Sequence, residues 1–183
     1  MGAIGIIGGT GVYDPQLLKD AEQRKIHKPY GDTSDLVTVG TFSGRQVVII
    51  PRHGSHHTIN PSRVNYRANI HAMKMLGVTH IIAPTAVGSL KEEYRPGDLV
   101  LLDQYVNRTF GRDVTFYEGK QVCHISNAEP FCPALRTLLA QHARQLHLPF
   151  HERGMCIVME GPAFSTKAES NLYRSWGADI INM

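Results

Sequence analysis

Ala3-Ile4-Gly5-Ile6-Ile7-Gly8-Gly9-Thr10-Gly11 is the stretch from which the fold is read. Ala3–Ile7 is a short apolar run that stops at glycine, the pattern of a buried strand. The glycines allow positive φ and turn backbone N–H groups toward an anion, with the Thr10 hydroxyl as a further donor. A plain tight turn between strand and helix uses the same residues. The loop is not a Walker loop, because no Gly-Lys-Ser/Thr follows. Nor is it GxGxxG: counted from Gly9-x-Gly11, the third glycine position holds Asp14. A free phosphate or small anion suits it better than a dinucleotide.

Outward from this strand the chain alternates. Leu36–Phe42 and Gln46–Ile50 are β-rich runs around Ser43-Gly44-Arg45 and predict a hairpin. Asn60 and Pro61 open a predicted helix that runs to Leu76 and stops at Gly77. Thr79–Ala83 and Asp98–Leu102 are further strands. Pro133–Leu146 carries a helical stripe of Leu135, Leu138, Leu139, Ala143 and Leu146. Gly154–Glu160 is a strand, Ser165 caps a helix reaching Trp176, and Ala178–Ile181 is the next strand. Strands alternating with helices give an α/β sandwich with a mostly parallel or mixed sheet, whose ligands sit at the carboxyl ends of the strands.

Two more donor-rich loops, and then a loop of a different kind, follow predicted elements. Pro51-Arg52-His53-Gly54 offers the planar donor fork of Arg52, suited to phosphate, and the ring of His53. Pro84-Thr85-Ala86-Val87-Gly88-Ser89 combines small residues with the Thr85 hydroxyl. Each alone is also an ordinary surface loop or strand exit. Three such loops at three strand ends favour one convergent anion site. Glu160-Gly161-Pro162-Ala163-Phe164-Ser165-Thr166 places a flat Phe164 where it can stack on a purine and Ser165 where it can meet a base. A helix cap beside a core phenylalanine gives the same sequence. His53, His56 and His57 lack an acidic third ligand and helical i, i+4 spacing, so no metal is assigned to them.

Composition excludes several classes. Hydrophobic residues make up 42% and charged residues 19% of the 183, which suits one soluble domain with a real core. The net charge of +3 comes without a Lys/Arg block, so nucleic acid is not an expected partner. Cys123, Cys132 and Cys156 form no CxxC pair and read as reduced thiols of a cytoplasmic protein. No signal peptide is visible, and no apolar run approaches the roughly 18 residues of a membrane span.

Together these segments resemble the methylthioadenosine phosphorylase branch of the purine nucleoside phosphorylases. The matching stretches are Ile4–Gly11, Arg52-His53-Gly54, His57-Thr58, Pro61–Tyr66, Gly88-Ser89-Leu90, Glu129–Pro133, Glu160–Ser165 and Trp176–Met183, in order along the chain. The resemblance implies a three-layer α/β/α sandwich with a mixed sheet. It also implies a homotrimer acting on a nucleoside and inorganic phosphate, a co-substrate, without metal or organic cofactor. It places Thr10, Arg52, His53, Thr85 and Ala86 on phosphate, Phe164 and Ser165 at the base, and Met183 at the ribose. His57 and His124 fall near the 5' substituent, His124 reaching in from a neighbouring subunit. Ser165 stands where 6-oxopurine members tend to carry Glu, which tilts the expected specificity toward 5'-methylthioadenosine.

The expected activity is therefore that of a pentosyltransferase in purine and methionine salvage. Methylthioinosine or a 6-oxopurine nucleoside is the nearest alternative substrate. Residues 1–183 read as a single nucleoside phosphorylase domain lacking its C-terminal part. By resemblance the acidic group that protonates the base is expected beyond Met183, so the chain alone is expected to turn over poorly. A non-catalytic phosphate-binding subunit and a histidine-based metal hydrolase are the rival classes.

Overall fold

The structure, a computed structural model, describes residues 2–9, 14–27 and 29–183. Its contacts divide the chain into two compact units, Met1–Ala86 with Arg112–Phe116, and Val87–Gly111 with Tyr117–Met183.

The first unit contains β1 (Ala3–Gly8), β2 (Lys19–Arg24), β3 (Val37–Phe42), β4 (Arg45–Pro51), α1 (Tyr66–Met75) and β5 (Val78–Ile82). They form one mixed sheet of order β2-β3-β4-β1-β5, in which β1 runs parallel to both β4 and β5. The hairpin of β3 and β4 is present, but Arg45 pairs with Phe42 and belongs to the strand. Ser43 and Gly44 both take positive φ, 48° and 77°, the two-residue turn whose twist matches the flanking strands. Val37, Val48 and Ile50 pack with Ala72 and Met73 of α1 into the core of this unit. A Cβ added at Gly5 would lie 2.8 Å from Met73 Sδ, so glycine there lets α1 lie close against β1.

The helix expected from Pro61 to Leu76 is two elements. Asn60 caps a 3-10 turn, Pro61–Arg63, by accepting the Ser62 N–H. Val64 is then extended, and Asn65 caps α1 by accepting the Ala68 N–H. A second Asn able to cap lets the helix restart, and Gly77 ends it at φ 73° as expected.

The second unit contains β6 (Gly88–Ser89), β7 (Leu99–Val100), β8 (Gln104–Arg108), α2 (Pro133–Gln145), β9 (Phe150–His151), β10 (Met155–Met159), α3 (Lys167–Ser175) and β11 (Ile180–Asn182). One sheet has the order β6-β11-β10-β8, with β10 parallel to β8 and β11, while β7 and β9 form a separate parallel pair. The strand expected over Asp98–Leu102 is thus only Leu99–Val100. In α2 the buried residues are Ala140 and Ala143, whereas Leu138 and Leu146 of the expected apolar stripe are exposed. Leu90, Ile157, Tyr173 and Ala178 form the core.

The cap of α3 is Thr166, not Ser165. Thr166 Oγ1 accepts the Glu169 N–H at 3.1 Å, and Glu169 returns a carboxylate to the Thr166 N–H at 2.7 Å. The reciprocal box needs a carboxylate or amide three residues after the cap, and after Ser165 that position is Ala168.

Candidate functional site

β4, β1 and β5 are parallel neighbours, so their carboxyl ends stand side by side. From these ends leave Arg52-His53, Gly9 and, beyond Ala83-Pro84, Thr85-Ala86. Arg52 ties the three exits together. Its backbone N–H donates to the Gly8 carbonyl at 3.0 Å, and its Nη2 donates to Thr85 Oγ1 at 2.7 Å. A Cβ on Gly9 would lie 3.6 Å from the same Nη2, so the glycine loop passes in contact with the guanidinium. Thr10 lies outside the described residues.

Burial draws the Arg52 pKa down from its ordinary value; Tyr66 pushes it back up and Arg112 adds to the fall. The group remains a cation at any physiological pH. A half-buried cation working against desolvation and a second guanidinium is relieved by an anion. Arg112 itself stands 4.9 Å from the Tyr66 ring centroid. The positions of Arg112 and Tyr66 along the chain do not tie them to Arg52, because only folding brings them toward it.

His53 is buried, and its ring is held on both sides. Arg52 Nε donates to Nε2 at 3.0 Å, and Nδ1 lies 2.9 Å from the Ile59 carbonyl. His57, exposed and at φ 53°, places its ring centroid 4.6 Å from that of His53. Asp35 anchors the turn between them by accepting the Ser55 N–H at 2.6 Å. Burial opposes the charge of Asp35, but hydrogen bonds from Ser55 and Leu36 hold its carboxyl below the usual value. Among the described residues no group of three or more His, Cys, Asp or Glu side chains is arranged to hold a metal ion.

In the second unit, β8, β10 and β11 are parallel and release Arg108, Met159 and Asn182 at one edge. Phe164 is 87% exposed on the loop after β10. Ser165 Oγ lies 2.9 Å from Ser170 Oγ, an interaction in which either hydroxyl can donate. Met183 follows β11 and is half-buried. Glu160 accepts the N–H groups of Phe110 and Gly111 at 2.7 and 3.0 Å and so anchors the exit of β8. The sequence showed that carboxylate at a strand end but not its partners, some fifty positions away. His124 is exposed in the irregular stretch before α2.

The model of the phosphorylase superfamily matches residues 3–183. The chain belongs to this superfamily. Among similar phosphorylases, the S-methyl-5'-thioadenosine phosphorylase of Thermofilum pendens is 54% identical over 98% of the chain, which covers 69% of that relative. The enzyme of the same name from Nitrosopumilus maritimus is 53% identical, with 98% and 68% covered. A methylthioadenosine phosphorylase of Schistosoma mansoni, solved in complex with adenine, superposes with a TM-score of 0.95 at 41% identity. It is matched over 100% of this chain and 74% of its own. The α/β nucleoside phosphorylase fold expected from the sequence is the fold found.

Proposed function

We propose that this phosphorylase cleaves 5'-methylthioadenosine with inorganic phosphate, giving adenine and 5-methylthio-D-ribose 1-phosphate in purine and methionine salvage. The observation that carries the reading is Arg52, which joins the exits of three adjacent parallel strands into one cationic corner. Relatives named for this reaction, at 51–54% identity, supply the substrate.

The chemistry follows from charge. As the bond from C1' to the base nitrogen breaks, positive charge builds on the sugar. A phosphate held by Arg52, Thr85 and Ala86, together with Thr10, stabilises that charge and then forms the new C1'–O bond. The electron pair of the broken bond leaves with the base, which takes up a proton. Phe164 and Ser165 hold the base, Met183 the ribose, and His57 and His124 the methylthio end. Ser165 sets base preference. No metal or organic cofactor takes part, and no nucleic acid or membrane is bound.

The active assembly is a homotrimer in the cytoplasm. Exposed Val122 and Ile125 on either side of His124 support an interface there, and three free cysteines support a reducing compartment. No helix among the described residues is long and apolar enough to cross a membrane.

The test is release of adenine from methylthioadenosine with and without phosphate, and with a chelator. Phosphate-dependent, chelator-insensitive release is expected. Turnover of inosine with none of methylthioadenosine would replace this substrate with a 6-oxopurine nucleoside.

A further inference from the structure

We infer that His53 is a positioning residue: its neutral ring fixes the Arg52 guanidinium instead of holding the anion through a ring nitrogen. The inference rests on Arg52 being the phosphate ligand proposed above.

The partners of the ring decide its tautomer. An arginine Nε only donates and a carbonyl oxygen only accepts. Nε2, 3.0 Å from Arg52 Nε, must therefore present a lone pair. Nδ1, 2.9 Å from the Ile59 carbonyl, must carry the proton. Both ring nitrogens are spent on the protein, and the residue, 7% exposed, sits with its ring beside that of His57. Arg52 in turn has its Nε pinned by His53 and one Nη2 hydrogen pinned by Thr85. Two fixed points set the plane of the guanidinium. Its Nη1 hydrogens and the second Nη2 hydrogen form the fork that can meet two phosphate oxygens. Without His53 the same fork would have to be oriented at the moment of binding, at a cost in conformational entropy.

Protonating His53 would turn its lone pair into an N–H facing another donor, beside an existing cation. The surroundings resist this. Burial lowers the pKa of the ring; the Ile59 carbonyl pulls the other way, and the charges of Arg52 and His57 reinforce the fall. Tyr66 of α1 and Arg112 bear on the same corner through Arg52. The positioning form therefore persists at neutral pH and is lost only in acid, below the ordinary histidine range.

Sulfate is the probe, because it stays a dianion where phosphate titrates. Calorimetric sulfate affinity is measured from about pH 5 to 8 for the unaltered protein, His53→Gln, His53→Ala and Arg52→Ala, with phosphate KM and kcat alongside. Glutamine keeps an acceptor but does not titrate. The unaltered protein should bind evenly near neutrality and lose affinity in acid, and His53→Gln should bind comparably without the acid loss. His53→Ala should bind about ten- to a hundredfold more weakly, as for a lost hydrogen bond to a charged group, raising KM far more than it lowers kcat. Nitrogen NMR of the unaltered protein should show the proton on Nδ1. An Nε2–H tautomer, wild-type affinity in His53→Ala, or a His53→Gln variant as weak as His53→Ala would each overturn the inference. Normal sulfate binding by Arg52→Ala would instead remove the site reading itself.

Discussion

Replacing Arg52 by alanine keeps its backbone bond to Gly8 but deletes the guanidinium that bonds Thr85 and lies beside Gly9. The expected loss is on the order of 2–4 kcal/mol of phosphate binding, as for a bidentate charge-assisted contact. It should appear in the phosphate KM, and unchanged phosphate dependence would take Arg52 out of the site. Lysine should not rescue it, because a point charge cannot bond His53 and Thr85 in one plane while meeting the anion. Ser165 gives a second prediction. A carboxylate there should weaken use of 6-amino purines relative to 6-oxo ones, since a buried acceptor facing the wrong group is strongly discriminated against. Measuring kcat/KM for both nucleoside classes checks it, and an equal response in both would move Ser165 away from the base. Arg52 and Thr85 were legible because each closely follows an apolar strand in sequence. Tyr66, Arg112, Asp35 and Ser170 were not, because their link to the site is made in space and leaves no spacing to read.

The turn from Arg52 to Ile59 is an element held from outside. Gly54 supplies a φ of 76°, the Ile59 N–H returns to the His53 carbonyl at 3.0 Å, and Asp35 binds Ser55 across the loop. Since the carboxyl of Asp35 is lowered in the folded protein, its contribution is present above the unfolded-state value, about 3.9, and is lost as pH falls through the folded value. Asp35→Asn should therefore be less stable than the unaltered protein at neutral pH and equal to it in strong acid. Urea unfolding at about pH 7 and at successively lower pH measures this, and a gap that widens in acid would contradict it. Strands with apolar runs, such as β1, β4 and β10, were legible as elements. β2 was not: Lys19-Asp20-Ala21-Glu22-Gln23-Arg24 is exposed throughout and pairs at the sheet edge, so it has no apolar face to announce it. The helix break at Val64 was hidden for a different reason. Pro61 and Asn60 are a complete start signal in themselves, and nothing local says that Asn65 makes a second one.

At the scale of the molecule the question is whether one active site draws on two chains. Val122 and Ile125, on either side of His124, are 76% and 79% exposed, apolar surface of the kind an interface covers. The proposed trimer covers it and brings His124 to a neighbour's nucleoside. A subunit-mixing experiment separates this from a site built within one chain. Arg52→Ala and His124→Ala proteins, each impaired alone, are unfolded together in equal amounts and refolded. In a cyclic assembly with His124 acting across the interface, a site is intact when its own chain keeps Arg52 and its neighbour keeps His124. Random mixing makes about one site in four intact, because each condition is met half the time. The mixture should then recover about a quarter of unaltered activity, and its mass by light scattering should be that of three chains. If His124 acts within its own chain, no mixed site holds both residues and mixing recovers nothing. A mixture no more active than its components would therefore return His124 to its own subunit, whatever the assembly weighs.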